Sequence, residues 1–115
     1  MFQTFSIAIF TLSFSARGTA FFISSAVLLQ WLPGKMIRPH FHPNDRFFIV
    51  VSGTWWVGSG PEFKPDATVP MPAGSHVIHY AKGVHFDGAK DEHATILVWG
   101  EGPATTTPFG TPPVK

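Results

Sequence analysis

The sequence predicts an all-β fold, an antiparallel sandwich or barrel of the jelly-roll class, and three observations carry that prediction. Short apolar runs recur with a period close to two, clusters of turn residues punctuate them, and almost no stretch has a helical pattern. Composition agrees: 15% of residues are aromatic, only 13% are charged, and Gly and Pro contribute eleven each, a mixture that suits strands joined by tight turns. A chain of 115 residues is about one domain's worth, so residues 1–115 are expected to form a single domain.

Taken in order, Phe5, Ile7 and Ile9 alternate with Ser6 and Ala8, and Leu12 and Phe14 with Thr11 and Ser13, which predicts one or two strands. Ala20 to Trp31 is rich in Phe, Ile, Val and Leu and stops at Pro33-Gly34, so a strand is favoured over a helix. Ile37 to His42, Arg46 to Val51 and Thr54 to Val57 read as strands separated by Pro43-Asn44-Asp45 and Ser52-Gly53; three in succession imply a meander. Glu62 to Pro72 reads as a loop. Ser75 to Tyr80, Val84 to Phe86 and Ala94 to Trp99 complete the strands. From about residue 101, with Pro103, Pro108, Gly110, Pro112 and Pro113, the chain reads as an extended tail.

Several function classes fall away. A net charge of +1 offers no basic field for phosphates, so nucleic acid is not an expected partner. The apolar runs Phe5–Phe14 and Ala20–Leu29 are each too short to cross a bilayer and are split by Arg17-Gly18, so no membrane partner is expected. No Lys or Arg precedes Arg17, as a secretory signal would require, which leaves native export open; a secreted, extracellular location is carried as the expectation. With no cysteine, disulfides, thiolate metal sites and Cys nucleophiles are excluded, and the six histidines carry the ligand chemistry.

In Pro39-His40-Phe41-His42 an extended strand projects His40 and His42 to one face, with Phe41 turned away. Two adjacent imidazoles are half a metal site, or else two partly exposed strand histidines. Along Ser75–Tyr80, alternation puts Val77 and His79 on one face and His76, Ile78 and Tyr80 on the other. If the first set faces inward, His79 is either a neighbour or fourth ligand of a metal, or a structural histidine satisfied by hydrogen bonds. His76 and His93 read as surface residues. Trp55 and Trp56 are adjacent on a strand, so one indole should enter the core and the other point outward, to cover a dimer interface or to stack a sugar beside Gly58-Ser59-Gly60. The apolar N-terminal strands exceed what a short chain can bury, and a homodimer is expected.

Gly34, His40, His42 and Gly53, followed by Gly74 and His85, keep the spacing of two sequence motifs, and on these residues the chain resembles the cupin superfamily. The resemblance spans residues 34–89. It implies a cupin barrel, the double-stranded β-helix form of the jelly roll, and a metal held by His40, His42 and His85. Arg46 stands where the family has its acidic ligand, Tyr80 and Lys82 replace a Pro and a Gly of the second turn, and Ala89 replaces an Asn. Arg46 cannot ligate a cation. It either pairs with Asp45 or Asp87, or places its charge near the cavity to favour anionic ligands or reduced oxygen species. Three neutral imidazoles suit copper, zinc, nickel or iron(II) rather than magnesium, calcium or manganese, and copper stands highest in affinity for nitrogen donors.

Compactness and the three-histidine set further resemble a copper-dependent group of cupins, known from metagenomic sequence, that cleaves cellulose oxidatively. That resemblance implies a copper oxidoreductase acting on a polysaccharide, cellulose, with a reductant and oxygen or peroxide, with Arg46 and His79 beside the metal ligands and an exposed Trp near the substrate. A metal-binding sensor or ligand-binding cupin without turnover, and an iron(II) dioxygenase of small carbonyl compounds, are the competing expectations.

Overall fold

The computed structural model describes residues 7–15, 21–101 and 106–110. Nine strands appear among them: β1 (Ile7–Ser15), β2 (Phe21–Trp31), β3 (Met36–Phe41), β4 (Arg46–Ser59), β5 (Val69–Pro72), β6 (His76–His79), β7 (His85–Gly88), β8 (Ala94–Glu101) and β9 (Thr107–Pro108). They form one curled antiparallel sheet in the order β1-β2-β8-β4-β7-β3-β9, with β5 and β6 also pairing with β4. Arg17-Gly18, and Pro103, Pro112 and Pro113 of the expected tail, lie outside the described residues. Among the described residues no helix is long and apolar enough to cross a membrane.

β4 organises the barrel. Its first half pairs with β6 and β8, and its second half with β5 and β7. The register against β8 slips between Val50 and Ser52, so Val51 is an extra residue, and Gly53 follows at φ 75°. A Cβ at Gly53 would collide with the His93 carbonyl, so only glycine fits there. The turn expected at Ser52-Gly53 is therefore a bulge that bends one long strand from one side of the barrel to the other. The expected meander is overturned as well: β3 pairs with β7 and β9, not with β4. A strand has only two edges, and those of β4 are taken along its length by β5, β6, β7 and β8.

The bulge also sets the core. Before it, Arg46, Phe48 and Val50 point inward; after it, Trp55 and Val57 do, because one extra residue exchanges the two faces of a strand. Phe48, Val50, Trp55 and Val57, with Trp31, Ala89, Ala94, Ile96 and Val98, form the apolar core. Trp55 is fully buried, while Trp56 is half-buried on the outside with the Lys90 amine 4.2 Å above its ring.

Two segments read as irregular are strands. Val69–Pro72, inside the expected loop, pairs with Thr54–Val57; as an edge strand it tolerates Pro70 and Pro72, which lack N–H donors. Within the expected tail, Thr107–Pro108 pairs with β3, and the Phe109 N–H donates to the Pro39 carbonyl at 3.0 Å.

Candidate metal centre

Pairing of His40 on β3 with His85 on β7 brings the two sequence motifs together. Ring centroids lie 4.3 Å apart for His40 and His85, 5.0 Å for His42 and His85, and 5.3 Å for His40 and His42. One nitrogen from each ring lies within 4.8 Å of the others, so modest movements of the rings would bring all three onto one metal ion. Local hydrogen bonds choose which nitrogens face inward. His40 Nδ1–H donates to the Arg38 carbonyl at 2.7 Å, and His85 Nδ1–H to the Gly83 carbonyl at 3.0 Å. Each bond fixes a tautomer and leaves the Nε2 lone pair bare, as metal-ligating histidines require. His85 Nε2 is buried and has no hydrogen-bond partner among the described residues, so the donor set fits a transition metal.

Electrostatics keeps His40, His79 and His85 neutral. Burial holds His85 down to about 2 and His79 down to about 3, reinforced by the neighbouring histidines. His40 is also lowered by burial, against the opposing bond to Arg38.

The turn between β6 and β7 ties the centre together. Lys82, which stands where the motif resemblance implies a glycine, keeps a glycine-like backbone at φ 62°, and its N–H donates to the His42 carbonyl at 2.8 Å. Gly34, Gly53 and Gly74, the motif glycines, all adopt positive φ, which explains why these positions are glycine.

The other expected residues fall as follows. His79 faces inward with Val77, as alternation requires; its ring lies 3.6 Å from that of His85 and 4.6 Å from that of Phe48, and neither nitrogen has a hydrogen-bond partner among the described residues. Arg46 pairs across β4 and β6 with His79, is buried, and donates from Nη1 to the Glu101 carbonyl at 3.0 Å. His76 is exposed, and His93 Nε2 lies 3.1 Å from Ser52 Oγ. Neither tryptophan matches the exposed Trp expected near the substrate, since Trp55 is sealed in the core and Trp56 packs under Lys90 on the outer wall.

Asp87 is the residue that sequence reasoning missed, having entered only as a possible partner of Arg46. It is buried; its Oδ1 accepts the Trp55 indole N–H at 3.3 Å, and its Oδ2 lies 3.7 Å from His40 Nε2 and 3.8 Å from His85 Nε2. Burial pushes its carboxyl up to about 7, opposed by the Trp55 bond. With both imidazoles neutral these contacts are not ion pairs. The signal was present: His85-x-Asp87 has the same two-residue spacing as His40-x-His42, so the two side chains share a face.

No protein-family model matches the sequence, and no curated protein matches it. Solved structures do. A cupin-like protein from Thermotoga maritima superposes with a TM-score of 0.67 at 20% identity, covering 93% of this chain and 80% of that one. A cupin superfamily protein from Desulfitobacterium hafniense gives 0.60 at 11% identity, covering 85% and 79%. The fold is the cupin double-stranded β-helix. A DMSP lyase from Ruegeria pomeroyi shares it at a TM-score of 0.66 and 18% identity, over 90% of this chain but only 51% of its own length. At such identities the likeness carries the cupin fold and does not reach the narrower copper-dependent, cellulose-directed group.

Proposed function

We propose that this cupin is a metal-dependent oxidoreductase that holds one copper ion on His40, His42 and His85 and attacks a polysaccharide, cellulose, oxidatively. The observation that carries the metal is the convergence of three imidazoles, in two of which, His40 and His85, a backbone hydrogen bond selects the donor nitrogen. Bound copper would supply one-electron chemistry toward oxygen or peroxide with a reductant present. Around it, Phe48 and Trp55 exclude water from the inner side, and half-buried His42 leaves the centre open on the other. The substrate class rests on the sequence resemblance. The two segments bordering His42 carry the exposed aromatics Tyr80 and Phe109, which suit a sugar ring and take the part expected of tryptophan. Solved neighbours include a DMSP lyase, a polyketide cyclase and an oxalate oxidase, which supports an enzyme without specifying its substrate.

The test is incubation of the copper-loaded protein with cellulose, with and without ascorbate, alongside His40→Ala. Aldonic acids that require both copper and ascorbate, and vanish in the variant, are expected. Unoxidised products, or products formed without metal, would overturn the reading. Iron(II) is the second reading, favoured by the Asp87 carboxylate beside the imidazoles, because oxygen donors suit iron better than copper. Metal analysis of the purified protein separates the two.

We also propose a homodimer. On the outer sheet face, Leu28, Leu97 and Ile49 line up across β2, β8 and β4, and Trp99, Phe47 and Ile78 across β8, β4 and β6, leaving Leu28, Ile49 and Ile78 exposed. A monomer in sedimentation equilibrium would overturn this.

A further inference from the structure

We propose that Asp87 is a fourth ligand of the metal, a carboxylate on β7 that replaces the acid lost to Arg46 on β4. This inference rests on the metal reading above.

Two observations carry it. The first is donor spacing. Two donors each about 2.1 Å from one ion stand about 3.0 to 3.6 Å apart at angles of 90° to 120°. Asp87 Oδ2 lies 3.7 Å from His40 Nε2 and 3.8 Å from His85 Nε2, so movements of a few tenths of an ångström bring it to ligand spacing from those two nitrogens. The second is orientation. Asp87 is 4% exposed, and its other oxygen accepts a hydrogen bond from Trp55, which is itself 0% exposed. Ligating carboxylates are commonly held by such an outer hydrogen bond, and this one aims Oδ2 at the two imidazoles.

The consequence is a donor set of three nitrogens and one oxygen, in which the acid has moved from the first motif to the second. One negative charge lowers the net charge of a divalent complex by one and brings iron and manganese within range beside copper.

Copper(II) added to the metal-free protein, in competition with a chelator and followed by electron paramagnetic resonance, tests the assignment. Asp87→Asn keeps the shape and an oxygen for Trp55 but removes the charged donor; affinity should fall at least about tenfold and the spectrum should change. Trp55→Phe, which leaves the carboxylate but not its orientation, should lose less. Wild-type affinity in Asp87→Asn, or weaker binding with an unchanged spectrum, would show that Asp87 is not a ligand. Failure of the wild-type protein to bind copper(II) more tightly than His85→Ala would instead overturn the metal reading itself. Should Asp87→Asn not fold, difference infrared spectroscopy of wild-type protein with 13C-labelled aspartate decides: ligation shifts the carboxylate stretch on metal addition, and its absence overturns the proposal.

Discussion

The interior of the barrel has two walls that are both buried and chemically opposite. On β4 and β8, Val50 and Ile96 are 1% exposed and belong to the apolar core. On β3, β6 and β7, His40, His79, His85 and Asp87 are 3–8% exposed, and three of their ring nitrogens have no hydrogen-bond partner among the described residues. Burial on the first wall stabilises the fold by about 25 cal/mol per Å² of apolar surface. On the second it costs about 1–3 kcal/mol for each polar group left unpaired. One wall holds the protein together, and the other is tolerated because of what it can bind.

Cutting into the apolar wall should do most damage. Ile96→Ala, which opens a cavity opposite Val50, should lower stability by about 2–5 kcal/mol in urea denaturation while leaving metal affinity of the folded protein unchanged. An equal loss of affinity would mean that the two walls are not independent. Cutting into the polar wall should act in the opposite direction. His79→Leu replaces an imidazole without hydrogen bonds by an apolar group, and should stabilise the metal-free protein by about 1–3 kcal/mol. A destabilised variant would show that His79 is satisfied in solution. The smallest effect is expected at the turn beside the polar wall. Lys82→Gly removes the cost of a left-handed side chain but adds chain entropy to the unfolded state, for a net gain of at most about 1 kcal/mol. Measurable destabilisation would mean that the Lys82 side chain makes a contact worth more than its backbone strain.

How much of this was legible depends on the range of the forces involved. Placing His40 and His42 on one face and His79 with Val77 on another needed only the pleat of an extended chain, and the structure keeps Val77 and His79 together on the inner side. The motif glycines were legible for a similar reason: positive φ is a property of single residues. The convergence of His85 with the first pair came from the resemblance in motif spacing, since nothing local joins β3 to β7. Asp87 was half legible, because its shared face with His85 follows from the pleat but its position beside His40 Nε2 does not.

The sequence by itself therefore determined the strand-rich class, the shared face of His40 and His42, and the positions where the backbone must turn left-handed, because steric and periodic preferences act over two to four residues; His85 joined that pair through the resemblance in motif spacing. Tertiary structure alone decided that β4 runs unbroken through Ser52 and Gly53, that Trp55 rather than Trp56 enters the core, and that a carboxylate stands beside the imidazoles. Each of these turns on the one-residue slip at Val51 or on the pairing of β3, β4 and β7. Register between strands far apart in the chain is set by which side chains pack together, and no local pattern in a single strand carries that information.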